Sequence, residues 1–128
     1  MEDAIHAKLV DIHLRFQIQE EAYKEHLHKT QALLEENSIE LFRIEQMIEN
    51  RDIEPLSRSQ LKYLIDMKVI LKKRIRDCKR IIDSTRTRKQ KLAEDKEELL
   101  NVFFEKHRRT FVRENSFQRM ASFVRAAF

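Results

Sequence analysis

The sequence predicts an all-α protein: two long helices forming an antiparallel coiled-coil hairpin with a C-terminal helical overhang. Three observations carry that expectation. Across 128 residues there is no glycine and no tryptophan, and only one proline and one cysteine. The charged residues number 26 Lys+Arg and 22 Asp+Glu, a balance suited to long solvent-facing helices. Apolar residues recur at alternating steps of three and four in both halves of the chain, the period of a helix seam.

The length allows a single domain, 1–128. The missing glycines remove every motif that needs a positive φ or a close backbone approach. Phosphate-cradling loops, dinucleotide fingerprints and the serine-nucleophile elbow are excluded on that ground. Tight two-residue hairpin turns are disfavoured as well, and a multi-stranded sheet with them.

The first helix is expected over 3–49. Its seam runs through Ile5, Leu9, Ile12, Phe16, Gln19, Tyr23, Leu27, Thr30, Leu34, Asn37, Leu41, Ile44 and Ile48. The steps alternate four and three, with a repeated four at Tyr23–Leu27, so the heptads carry one stutter.

The turn is expected over 50–56, around the one proline, Pro55, which cannot donate a backbone hydrogen bond. A helix-start signal follows directly. Ser57 is placed to cap the helix, with Gln60 reaching back as its capping-box partner. Leu56 and Leu61 fall at the two positions of a hydrophobic staple. The second helix is expected over 57–125. Its seam runs through Leu61, Leu64, Lys68, Leu71, Ile75, Cys78, Ile82, Thr85, Lys89, Leu92, Lys96, Leu99 and Phe103 in strict three-four spacing.

A short turn between long helices folds them antiparallel. Folding about residue 54 sets Ile48 against Leu61, Ile44 against Leu64, Leu34 against Ile75, Phe16 against Leu92 and Ile5 against Phe103. Gln19 then falls opposite Lys89 and Tyr23 opposite Thr85. Charge favours the same pairing. Residues 1–50 carry five basic and eleven acidic side chains, and residues 51–103 carry fifteen basic and nine acidic. Each helix repels its own copy and attracts the other. A two-stranded seam is a thin core, so the hairpin is expected to act while bound to a partner.

Residues 1–103 sum to zero charge, which leaves the whole net charge of +4 in 104–128. That segment interleaves Phe104, Phe111, Phe117, Phe123 and Phe128 with Lys106, Arg108, Arg109, Arg113, Arg119 and Arg125. Past a break at Asn115-Ser116, the residues Phe117, Met120, Ala121, Val124, Ala127 and Phe128 form one apolar helical stripe. An apolar stripe without an internal partner is a binding surface.

No catalytic, cofactor or metal site is expected. His6 and His13, His26 and His28, and His107 lack the spacing of a helical metal motif; they read as solvated or seam-edge histidines. Cys78 falls at a seam position, where it serves as a small core hydrophobe. As a lone cysteine it has no internal disulfide partner, which suits a reducing compartment. The acidic start Glu2-Asp3 and the lack of an apolar run of membrane-spanning length point to a cytoplasmic protein. A sequence pI of 9.3 supports an alternative reading, a free-standing binder of nucleic acid or of a membrane surface through the basic, Phe-rich C-terminal segment. Acidic side chains beside the basic second helix weigh against it for the rest of the chain, and a protein partner is the favoured expectation.

The segment from Pro55 to Asp77, opening Leu56-Ser57 with Gln60-Leu61, resembles the second-helix start of the FliJ/YscO-like stalk proteins of type III secretion. The likeness is nearest to InvI-type members of invasion-associated injectisomes. Glu114-Asn115-Ser116-Phe117-Gln118-Arg119-Met120 is similar to the Glu-Gly-Asn-Tyr-Gln-Arg-Trp of such members. The resemblance covers about three-quarters of the chain, Glu35 to Phe128. It implies a non-enzymatic central stalk, seated in the hexameric export ATPase and reaching the export gate at the inner membrane, with escort chaperones as further partners and no small-molecule substrate. On this likeness the hairpin tip, Leu56, Gln60, Leu61, Tyr63, Leu64 and Met67, faces the gate. Of these, Tyr63 and Met67 lie off the seam. Arg108, Arg109, Phe111, Arg113, Phe117, Gln118, Arg119, Met120, Val124, Arg125 and Phe128 face the ATPase.

Overall fold

A computed structural model describes residues 2–108 of the chain. It contains two helices packed against each other, α1 (Glu2–Glu49) and α2 (Arg58–Lys106), and no strand among the described residues. The continuation of the second helix expected to residue 125 lies outside the described residues from 109 onward.

The two ends at the turn are closed in different ways. Ser57 caps α2 as its spacing predicts. Its Oγ accepts the Gln60 N–H at 3.1 Å, and its own N–H donates to Gln60 Oε1 at 3.0 Å. Both arms of the capping box are therefore made, satisfying two donors that a helix start leaves over. At the end of α1 no glycine is present to take the left-handed cap. The Asn50 carbonyl accepts the N–H groups of Ile53 and Glu54, each at 2.9 Å. The Arg51 guanidinium donates to the Ile48 carbonyl at 3.0 Å, a cationic side chain serving one of the orphan carbonyls.

The chain divides into two compact units. The turn unit is Lys24–Thr87. Its core is Ile44, Leu64 and Leu71, with Leu41, Ile48, Leu56 and Met67 packed against them. Ile44 and Leu64 flank the turn from opposite sides and share one cluster, as antiparallel pairing requires. The terminal unit joins Met1–Tyr23 to the residues from Arg88 onward. Its core is Ile5, Leu9, Leu100 and Phe103, with Ile12 and Phe104 against it. Here the start of α1 meets the end of α2, and Ile5 lies with Phe103 as the register predicts. Each fully buried side chain contributes about 1.5–3 kcal/mol.

Burial follows the expected seam with two corrections. In α1 every seam position is buried or half-buried except Gln19, which is exposed. In α2 the strict spacing fails at Leu99, which is 43% exposed, while Leu100 is 3% exposed. The step from Lys96 is four rather than three. A straight helix drifts about 20° per heptad against a strict seven-residue repeat, and the dipeptide Leu99-Leu100 lets either leucine continue the series. Leu100 wins because it packs with Leu9 and Ile5.

Candidate partner-binding surface

The turn and the first residues of α2 set out the tip. Met47 is 50% exposed, Ile53 81% and Tyr63 63%. An open cavity of about 230 Å³ lies at the turn, lined by Gln46, Met47, Asn50, Ile53, Glu54 and Leu56. Met47, Ile53 and Leu56 thus line one opening with the polar Gln46, Asn50 and Glu54, apolar groups framed by polar ones as in a contact patch, while Tyr63 is exposed on the first turns of α2.

The tip residues expected from sequence divide by environment. Tyr63 stands out into solvent as its off-seam position predicts. Met67 does not; it is half-buried against the Ile44, Leu64 and Leu71 cluster. A heptad frame places Met67 beside the seam, and its flexible thioether folds onto the core instead of away from it. Leu64 is buried, and Leu56 and Leu61 are half-buried. Gln60 is exposed and committed to the capping box. Ile53 and Met47 were not singled out by the seam pattern. The available signal was Ile53 itself, an isoleucine between Asp52 and Glu54 in a turn where no seam position can use it.

Of the residues expected at the ATPase, Arg108 alone is described. It is exposed, with Nη1 at 4.0 Å from Glu105 Oε1. Arg109, Phe111, Arg113, Phe117, Gln118, Arg119, Met120, Val124, Arg125 and Phe128 lie outside the described residues. Just before them, the Phe103 ring packs on His107 with centroids 4.7 Å apart and on Phe104 at 6.0 Å, edge to face. Partial burial, then Lys106 and Lys8, hold the His107 imidazole below its ordinary pKa, because each penalises the charged ring.

Polar side chains interrupt the seam in both units. In the terminal unit Lys96 is 1% exposed, with Nζ 3.3 Å from His13 Nδ1 and 3.9 Å from Glu20 Oε1. In the turn unit Thr30 is buried and donates to the His26 carbonyl at 2.8 Å. Asn37 is 7% exposed, and its Nδ2 has no hydrogen-bond partner among the described residues. Across the seam Lys68 approaches Glu45 at 3.9 Å. These two ion pairs each set a cation of α2 against an anion of α1, as the charge division predicts. Cys78 is buried at its seam position.

No helix of the described residues is long and apolar enough to cross a membrane. No protein-family model, curated protein or solved structure matches the chain.

Proposed function

We propose that the protein is a non-catalytic central stalk of a type III secretion export ATPase, linking the ATPase hexamer to the export gate. In this reading it is a cytoplasmic protein working at the inner-membrane base of the apparatus, with escort chaperones as further partners. The observation that carries the reading is a helical hairpin whose tip is capped and packed yet exposes Met47, Ile53 and Tyr63. Met47 and Ile53 open onto one cavity at the turn, with Tyr63 exposed at the start of α2, and apolar groups gathered at the end of a capped turn suit contact with a partner. The likeness of Pro55–Asp77 to the stalk family supports the choice of partner. The exposed tip is assigned to the gate, and the basic, Phe-rich segment from Arg108 to Phe128 to the ATPase. There the arginines steer and orient encounter, and the phenylalanines supply buried area.

The test is secretion by cells carrying Met47→Ala, Ile53→Ala and Tyr63→Ala together. All three side chains are half or more exposed, so helicity and melting should stay close to wild type while secretion falls. Normal secretion with the variant fully folded would remove the tip from this reading.

A further inference from the structure

On one flank of the turn unit, a groove of about 300 Å³ is lined by Leu33, Asn37, Arg74, Asp77, Cys78 and Ile81. We propose that this groove is a self-complementary surface on which a second copy of the chain docks about a twofold axis passing beside Asn37.

Three features of the groove point to a copy of itself. First, Asn37 is 7% exposed, and its Nδ2 lacks a hydrogen-bond partner among the described residues. A buried amide donor is expensive to leave unpaired. An amide both donates and accepts, so two Asn37 side chains turned into the groove satisfy each other reciprocally. The broad χ2 of asparagine permits that rotation. Second, the rim carries one cation and one anion, Arg74 and Asp77. A twofold axis sets each Arg74 against the Asp77 of the other copy, so both charges are answered by a single operation. Asp77 also lies 3.8 Å from Arg80 of its own helix, in an exposed pair that competes only weakly. Third, α1 supplies Leu33 at 49% exposure and α2 supplies Ile81 at 41%, and these apolar rims meet their counterparts in the same operation.

The other flank gives a contrast. The heptad frame set by the seam places Lys72, Arg76, Lys79 and Arg86 there, all exposed. The same frame sets Asp83 among them and Glu35 and Glu49 of α1 beside them, so that flank carries mixed charge and lacks the buried amide nitrogen, unbonded among the described residues, that marks the groove. A helix from another protein would have no need for matched charges and a paired amide on one patch.

The proposal concerns the chain alone and is independent of the stalk reading, because its test contains no ATPase. Sedimentation of the full chain at roughly 100 μM, where micromolar dimers are populated, should give a dimer. Leu33→Glu with Ile81→Glu should weaken that dimer roughly tenfold or more while helicity is kept, since both side chains are about half exposed. Arg74→Asp should weaken it as well, and Arg74→Asp with Asp77→Arg should recover it. A second measurement does not depend on how the glutamate variant folds. In a Cys78→Ala background, Asp77→Cys should cross-link between copies with a short bis-maleimide, and Lys73→Cys on the outer face should not. A monomeric wild type, a dimer indifferent to the groove substitutions, or equal cross-linking at both cysteines would overturn the proposal. The last two outcomes would move the dimer contact elsewhere, and the first would leave the groove to a different protein.

Discussion

Lys96 Nζ lies 3.3 Å from His13 Nδ1, 83 residues earlier in the chain, in a side chain only 1% exposed. An ammonium has donors and no acceptor, so Nδ1 of His13 must be the acceptor in this bond. The Glu20 carboxylate at 3.9 Å supplies the opposing charge. The contact ties α1 to α2 in the terminal unit, one amine of α2 meeting a ring nitrogen and a carboxylate of α1.

A buried ion pair ties partners together more than it stabilises the fold. Removing the ammonium while keeping the stem leaves the Glu20 carboxylate, whose side chain is 26% exposed and can be answered by water, so no buried charge is stranded and the change is expected to be neutral or stabilising. Lys96→Met should leave the thermal melting point unchanged or raise it. Glu20→Ala strands the buried ammonium and should cost about 1–3 kcal/mol. Circular dichroism melts of the two variants check both signs.

Leu99 and Leu100 exchange the roles that strict spacing assigns. Leu100→Ala opens a cavity beside Leu9 and Phe103 and should cost about 2–5 kcal/mol. Leu99→Ala removes a side chain that is 43% exposed and should cost about 0.5 kcal/mol or less. Urea titration of the pair measures the difference, and equal losses would restore the strict spacing.

His107 gives the terminal unit a pH dependence of known sign. Its imidazole is held below the ordinary value by partial burial, Lys106 and Lys8. Above the unfolded pKa the ring is neutral in both states and contributes nothing. As the pH falls below about 6.5 the unfolded chain takes up the proton first, so stability is lost until the folded ring also protonates. Melting temperatures between neutral and mildly acidic pH should fall less for His107→Gln than for wild type.

Much of this fold was legible because long helices repeat their signal many times over. The seam from Ile5 to Ile48 and the capping box at Ser57 depend on local spacing alone, and both are present in the structure. What spacing cannot decide is which of two adjacent apolar residues turns inward, as at Leu99-Leu100. It also cannot tell whether a polar seam residue finds a partner. Lys96 does, and among the described residues the Asn37 Nδ2 does not, and nothing in the seam spacing foretells the difference. The tip was legible in place but not in detail. Tyr63 was found because it lies off the seam, whereas Met67 folds back on the core, and Ile53 belongs to a turn that has no period.

The proposed stalk function stands or falls on the ATPase. Purified full-length chain should be titrated into the cognate export ATPase while phosphate release and complex formation are followed together. A saturable rise in ATP hydrolysis with a stable complex is expected, and a stop codon after Glu105 should abolish both while leaving the hairpin folded. ATP hydrolysis that stays flat, with no complex formed by the intact chain, would contradict the stalk.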